Sequence, residues 1–155
     1  MSNNASPHMK NLDMKRPAGT LFWVLGVLFL LWNMIGCASY LVEVSLSDAD
    51  YAKTFGQALA DIRHIYPIWA ITAFAVAVWG GLAAAIFYLR RKKWALHLFI
   101  VSFLALMTNN IWTFTNADYQ AAAGAGFWVM PAIIIGLAIV EIIWCRKKVA
   151  DGTLT

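Results

Sequence analysis

The sequence predicts an all-α membrane protein: a polytopic bundle of four transmembrane helices in up-down order, with a short amphipathic helix in its first outer loop. Three observations carry this. Of 155 residues, 61% are hydrophobic and only 13% are charged, where a soluble domain averages roughly 45–50% and about 25%. The apolar residues gather into four blocks, at about 20–42, 68–89, 94–114 and 127–145, each long enough to cross a hydrocarbon core of about 30 Å as a helix. The basic residues fall in three clusters between those blocks, which is a topology signal and not the single patch that nucleic acid requires.

Residues 1–19 are polar and basic and read as a mostly disordered tail. The first block, "TLFWVLGVLFLLWNMIGCASYLV", contains "MIGC", Met34–Cys37, which resembles a lipid-attachment signal. Its basic end is too long for one, and the apolar run continues through Leu41 and Val42, so the block reads as an uncleaved span. No stretch alternates as a barrel strand does, and backbone groups in lipid must be paired internally, so each block is expected to be a helix.

Ten of the twelve Lys and Arg residues lie before the first block, in the 90–93 link or in the 146–148 run. The positive-inside rule then places both termini and the 90–93 turn in the cytoplasm, with the 43–66 and 115–126 loops outside and a C-terminal tail at 146–155. Trp23, Tyr88, Trp94 and Trp144 fall at the expected inner ends; Tyr40, Tyr66, Trp69, Trp112 and Trp128 fall at the outer ones. Two such belts are what amphipathic rings favour.

In the first outer loop, Ser47 is placed to cap a helix opening on Asp48 and Asp50, and Phe55, Leu59 and Ile62 recur at helical spacing. Pro67 suits the first turn of the second membrane helix. "AAAGAG", residues 121–126, reads as a flexible lead into the fourth.

Polar groups inside a bilayer are costly and are candidates for function. Asn33 lies mid-span on a small, polar face with Gly26, Gly36 and Cys37. Its amide reads either as a ligand contact or, more plainly, as an interhelical hydrogen bond. Trp32 and Trp79 also lie mid-span and want acceptors for their indole N–H groups. With Asn33 they make candidate walls for a neutral, hydrogen-bonding solute, the plainer reading being large residues that fill gaps or face lipid. Asn109 and Asn110 give the third helix a polar outer half, read either as a lining or as helix-to-helix hydrogen bonding. Ala73, Ala77, Gly81 and Ala85 form a small-residue ridge that lets another helix approach closely, within the bundle or across a dimer. His97, one turn above the basic link, and Glu141, about one turn inside Arg146, are expected to share a depth and to form a buried pair; a proton relay through it is the functional alternative.

Other chemistries find no residues. His8, His64 and His97 lie in different compartments or depths, against a bis-histidine haem site. Cys37 and Cys145 have neither metal nor disulfide spacing. No phosphate loop, zincin motif or nucleophile elbow occurs, so no metal, cofactor or enzymatic activity is expected. Small multidrug exporters, also short four-helix proteins, need a glutamate in the middle of the first helix, where this chain has Asn33.

The features "LLWNMIG", "YPIWAITAFAVAVWGG" and "LRRKKWALHLF", with the polar end of the third helix, resemble a family of small four-helix bacterial inner-membrane proteins, largely uncharacterised and often automatically labelled sugar transporters. The resemblance covers residues 15 to 148 and implies a multi-pass inner-membrane location and, through that label, transport. It carries over no functional residues. The expected function is a small-solute permease or carrier component, with sugar as the solute the label implies. It would act as a homodimer through the ridge. The alternative is an accessory subunit packed on a larger membrane-protein partner. An accessible cavity around Asn33 separates the first from the second.

Overall fold

The computed structural model describes residues 17–155, and every described element is helical. The N-terminal tail up to residue 16, with the basic residues Lys10, Lys15 and Arg16, lies outside the described residues. Helices α1 (Thr20–Ser45), α4 (Ile68–Leu89), α5 (Trp94–Thr115) and α7 (Val129–Ala150) are the long ones; α2 (Asp48–Phe55), α3 (Gln57–Ile62) and α6 (Ala117–Ala123) are short. The four long helices are long and apolar enough to cross a membrane.

The first loop holds two helices where the sequence suggests one. Ser47 Oγ accepts from the Asp50 backbone N–H at 3.2 Å and caps α2. The helix then breaks at Gly56, whose φ of +97° lies outside helical space and is open to a residue without Cβ. The burial pattern changes with the break. Tyr51 becomes the buried residue of α2 and Phe55 is left exposed. Helix α6 is unannounced by periodicity; Asn116 caps it, its side-chain oxygen accepting from Tyr119 N–H at 2.7 Å.

Helix α4 is the axis of the bundle. Its ridge of Ala73, Ala77, Gly81 and Ala85 is buried within the chain, between α1 and α5. Contacts across it are backbone-close: Ser102 Oγ donates to the Ala77 carbonyl at 2.6 Å, and Cys37 Sγ donates to the Val78 carbonyl at 3.4 Å. A Cβ on Gly81 would strike Asn33 Oδ1 and sit 3.2 Å from Ser102 Oγ, so the glycine is what lets α1 and α5 close on α4 together. The small side chains of the ridge are thus spent on packing inside one chain.

The end of the bundle that carries Arg90 to Lys93 is solid. Phe22 stacks on Tyr88 at 4.3 Å between ring centroids, and Phe29 meets both Tyr88 and Phe99 edge-on. Trp144 Nε1 donates to the Tyr88 hydroxyl at 2.8 Å, which ties α7 to α4 there. The C-terminal segment 146–155 completes this end. Helix α7 runs on through Arg146, Lys147 and Lys148 to Ala150, because cations are favourable at a helix C-terminus. Leu154 then buries against the aromatic cluster, and Thr155 exchanges backbone hydrogen bonds with Arg91 and Lys93 at 2.9 and 3.2 Å.

Candidate functional site

The opposite half of the bundle is hollow. A cavity of about 370 Å³ runs from the middle of the four long helices to the short loop helices. Its deep end is built by Asn33 of α1, Ala77 of α4, Ser102 of α5 and Glu141 of α7. Its mouth is roofed by Tyr51, Arg63, Tyr66 and Tyr119 from the connecting segments. The volume lies in the range of sites for small organic molecules, about 300–1,000 Å³.

Glu141 and Asn33 meet at the deep end. Asn33 Nδ2 donates to Glu141 Oε1 at 2.8 Å and to the Phe29 carbonyl at 2.8 Å, which spends both amide hydrogens. Both side chains are buried: Glu141 is 5% exposed and Asn33 9%. The second carboxylate oxygen of Glu141 has no hydrogen-bond partner among the described residues and is not sealed off inside protein; since Glu141 lines the cavity, that oxygen is available to an occupant. The carboxylate thus stands at the depth of Asn33, in the middle of α1.

The expected His97–Glu141 pair does not form. His97 is exposed and lies against the Trp94 ring, with centroids 5.6 Å apart. It is two positions from each of the buried residues Ala95 and Phe99, so on a 100° helical period it points to the other side of α5. Glu141 instead meets Asn33, at the middle of α1.

Asn109, Trp32 and Asn110 line the cavity, and Asn110 is buried. Asn109 Nδ2 donates to the Tyr66 hydroxyl and, at 3.0 Å, to the Ala70 carbonyl. Asn110 Nδ2 donates to the Leu106 carbonyl one turn back, at 2.8 Å. Trp79 does not join them: it is 46% exposed on the outward face of α4, because the ridge turns the opposite side of the helix inward.

The roof is held by one guanidinium. Arg63 donates to the carbonyls of Glu43 at 2.5 Å and Leu46 at 2.9 Å, the open end of α1, and pairs with Asp48 at 3.1 Å. Its charge also lies 4.6 Å from the centre of the Tyr51 ring, a cation–π distance. The Tyr51 hydroxyl donates to Glu43 Oε2 at 3.2 Å. Burial pushes the Tyr51 and Tyr119 hydroxyls above the usual tyrosine range, and the Glu43 charge adds to it. Tyr66 is pushed up to about 12 by burial, against the lowering pull of Asn109. All three stay protonated, so the mouth presents neutral hydroxyls on aromatic rings. Sequence reasoning passed over Tyr51, Arg63 and Tyr119; the signal it had was an arginine and tyrosines in an otherwise plain loop.

No cluster of three or more metal-ligating side chains occurs among the described residues. Comparison with protein-family models, with curated proteins and with solved structures finds no match to this chain.

Proposed function

We propose that the protein is a small-solute permease or carrier component of a bacterial inner membrane, with its solute bound in the cavity between Asn33 and the loop roof. The four long helices cross the bilayer up and down, with the Arg90–Lys93 turn and the C-terminus cytoplasmic and the loop helices outside. The support for this orientation is the gathering of basic residues at the solid end of the bundle. The observation that carries the reading is the cavity itself. A purely structural subunit has no use for hollow space around a buried glutamate at mid-helix, since intramembrane ionisable groups and voids both cost stability. The solid aromatic end and the hollow opposite end fit a site closed toward the cytoplasm and approached from the other side or from lipid. With the ridge consumed inside the chain, a second copy would dock on another face.

Purified protein in liposomes should accumulate a solute that also raises its melting temperature in detergent. Filling the cavity with Ala138→Trp should abolish both effects while leaving the helical content unchanged. Absence of uptake, together with a stoichiometric co-purifying protein, would instead establish the accessory-subunit role.

A further inference from the structure

The cavity's chemistry is lopsided, and that names its occupant. At the deep end the polar hydrogens are already spent: both of Asn33 and the one of Ser102 go to groups within the protein. What remains free is an acceptor, the second oxygen of Glu141, on a side chain 95% buried by its 5% exposure. A sugar or other hydroxyl-rich neutral solute would find donors along the walls, in the Trp32 indole and the Thr113 and Tyr119 hydroxyls, but it would leave the buried charge of Glu141 without a counter-charge. An anion would meet a carboxylate. A cation meets the one charge there and, along the walls, the aromatic side chains of Trp32, Tyr66 and Trp112, rings of the kind that attract positive charge. The cavity also reaches the outer surface between α1 and α7, where Ile35 and Met130 line it and remain 59% and 60% exposed. A molecule with an apolar body can enter there from lipid.

Resting on the reading of this cavity as a solute site, we infer that it takes a monovalent organic cation with an apolar body, and that Glu141 holds either that cation or a proton. A carboxylate at that depth must be neutralised by one or the other. When the cation enters, the carboxyl O–H bond breaks, the electron pair stays on oxygen and the proton leaves through the mouth. An ion pair forms, and no covalent bond is made to the solute. Return of a proton releases the cation.

Other charges do not compete for this role. On α7, Cys145 is the nearest titratable group, one turn toward the solid end and buried in the core cluster. On α4, Tyr88 is tied to Trp144; on α5, His97 is exposed on the far side. Above, Glu43 is engaged by Tyr51, while Arg63 is held by the end of α1 and by Asp48. Tyr66 and Tyr119 are neutral.

The test is binding of labelled tetraphenylphosphonium to the purified full chain in detergent across a pH series, beside labelled methyl glucoside as the neutral probe. The expected result is one cation per chain, one proton released per cation into unbuffered solution, and affinity rising by about tenfold per pH unit on the acid side, as one exchanged proton requires. Glu141→Gln keeps an acceptor for Asn33 and should lose the proton release, the pH dependence and about 100-fold or more in affinity, the scale of a desolvated charge pair. Glu141→Asp should retain proton release, and it decides the matter together with the wild type if the glutamine variant does not fold. Cation binding without proton release, or unchanged in Glu141→Gln, overturns the inference. Binding of methyl glucoside alone overturns it and leaves the carrier reading standing. Binding of neither probe, with no uptake in liposomes, removes both.

Discussion

Replacing Gly81 by alanine tests the packing that brings Glu141 and Asn33 together. On an isolated helix this change favours folding by about 0.5–1 kcal/mol, since glycine loses more backbone freedom. Here the added methyl would strike Asn33 Oδ1 and crowd Ser102 Oγ at 3.2 Å. Overpacking of a closed seam costs about 1–3 kcal/mol. Pushing Asn33 aside also strains its bond to Glu141, and interhelical hydrogen bonds of this kind contribute about 0.6–1.7 kcal/mol in a membrane protein. The net expectation is a loss of about 1–4 kcal/mol by the same bookkeeping. It is read as a lower midpoint when helicity is followed during denaturation in mild detergent. The neighbouring glycine supplies the control. A Cβ on Gly80 would make only an ordinary contact, 3.5 Å from Ser102 Cβ, so Gly80→Ala should be neutral or slightly stabilising. The combination of Gly81→Ala with Asn33→Ala should be milder than the sum of the two, because the second change removes the struck atom. If Gly81→Ala unfolds at or above the wild-type midpoint, the Asn33–Gly81 contact does not set the approach of α1 to α4.

Three further outcomes follow from the same geometry. Arg63→Ala removes the donors to Glu43 and Leu46 and the charge over Tyr51; amide exchange across α2 and α3 should quicken by about 10–100-fold, corresponding to bonds of about 1.5–3 kcal/mol, and Arg63→Lys should rescue little because an ammonium cannot fork. At the other end, burial pushes the Asp151 carboxyl up, but hydrogen bonds from Thr153 and Lys148 outweigh it and hold the group at about 2. Its folded value lies below the unfolded one of about 3.9, so its contribution is present above that pH and is lost as pH falls through about 2. The side chain is still 24% exposed, and solvent screening should keep the effect to about 1 kcal/mol; amide exchange at Thr153 should show it, and Asp151→Asn should remove the pH dependence. Cys37 and Cys145 are buried, and both should react with a soluble thiol reagent only upon unfolding; fast labelling of either in folded protein would contradict the packing around them.

The residues of the candidate site were half legible. Asn33 and Glu141 stand out in the sequence because polar groups in apolar blocks are few, yet nothing in the sequence joins them. Their contact depends on the rotation of α1 and α7 about their axes and on where each helix stops. Counting inward from Arg146 pairs Glu141 with His97, whereas in the structure it meets Asn33 at the middle of α1. Trp79 and Trp32 look alike in sequence. The burial of the Ala73–Ala85 ridge turns Trp79 outward, whereas Trp32, on α1, lines the cavity. The roof was least legible, since the positive-φ glycines Gly56 and Gly124 and a seven-residue helix at Ala117–Ala123 leave no periodic trace.

The sequence by itself determined four apolar helices and their order along the chain. The reason is that a bilayer's thickness and its lack of water impose a rule that each segment meets alone. The tertiary structure decided which faces are spent on packing, which polar side chains meet and where space is left. Those outcomes depend on close fits among helices far apart in sequence, such as Gly81 against Asn33 and Asn33 against Glu141. A shift of one residue in any helix turns its side chains by about 100° and changes every such meeting.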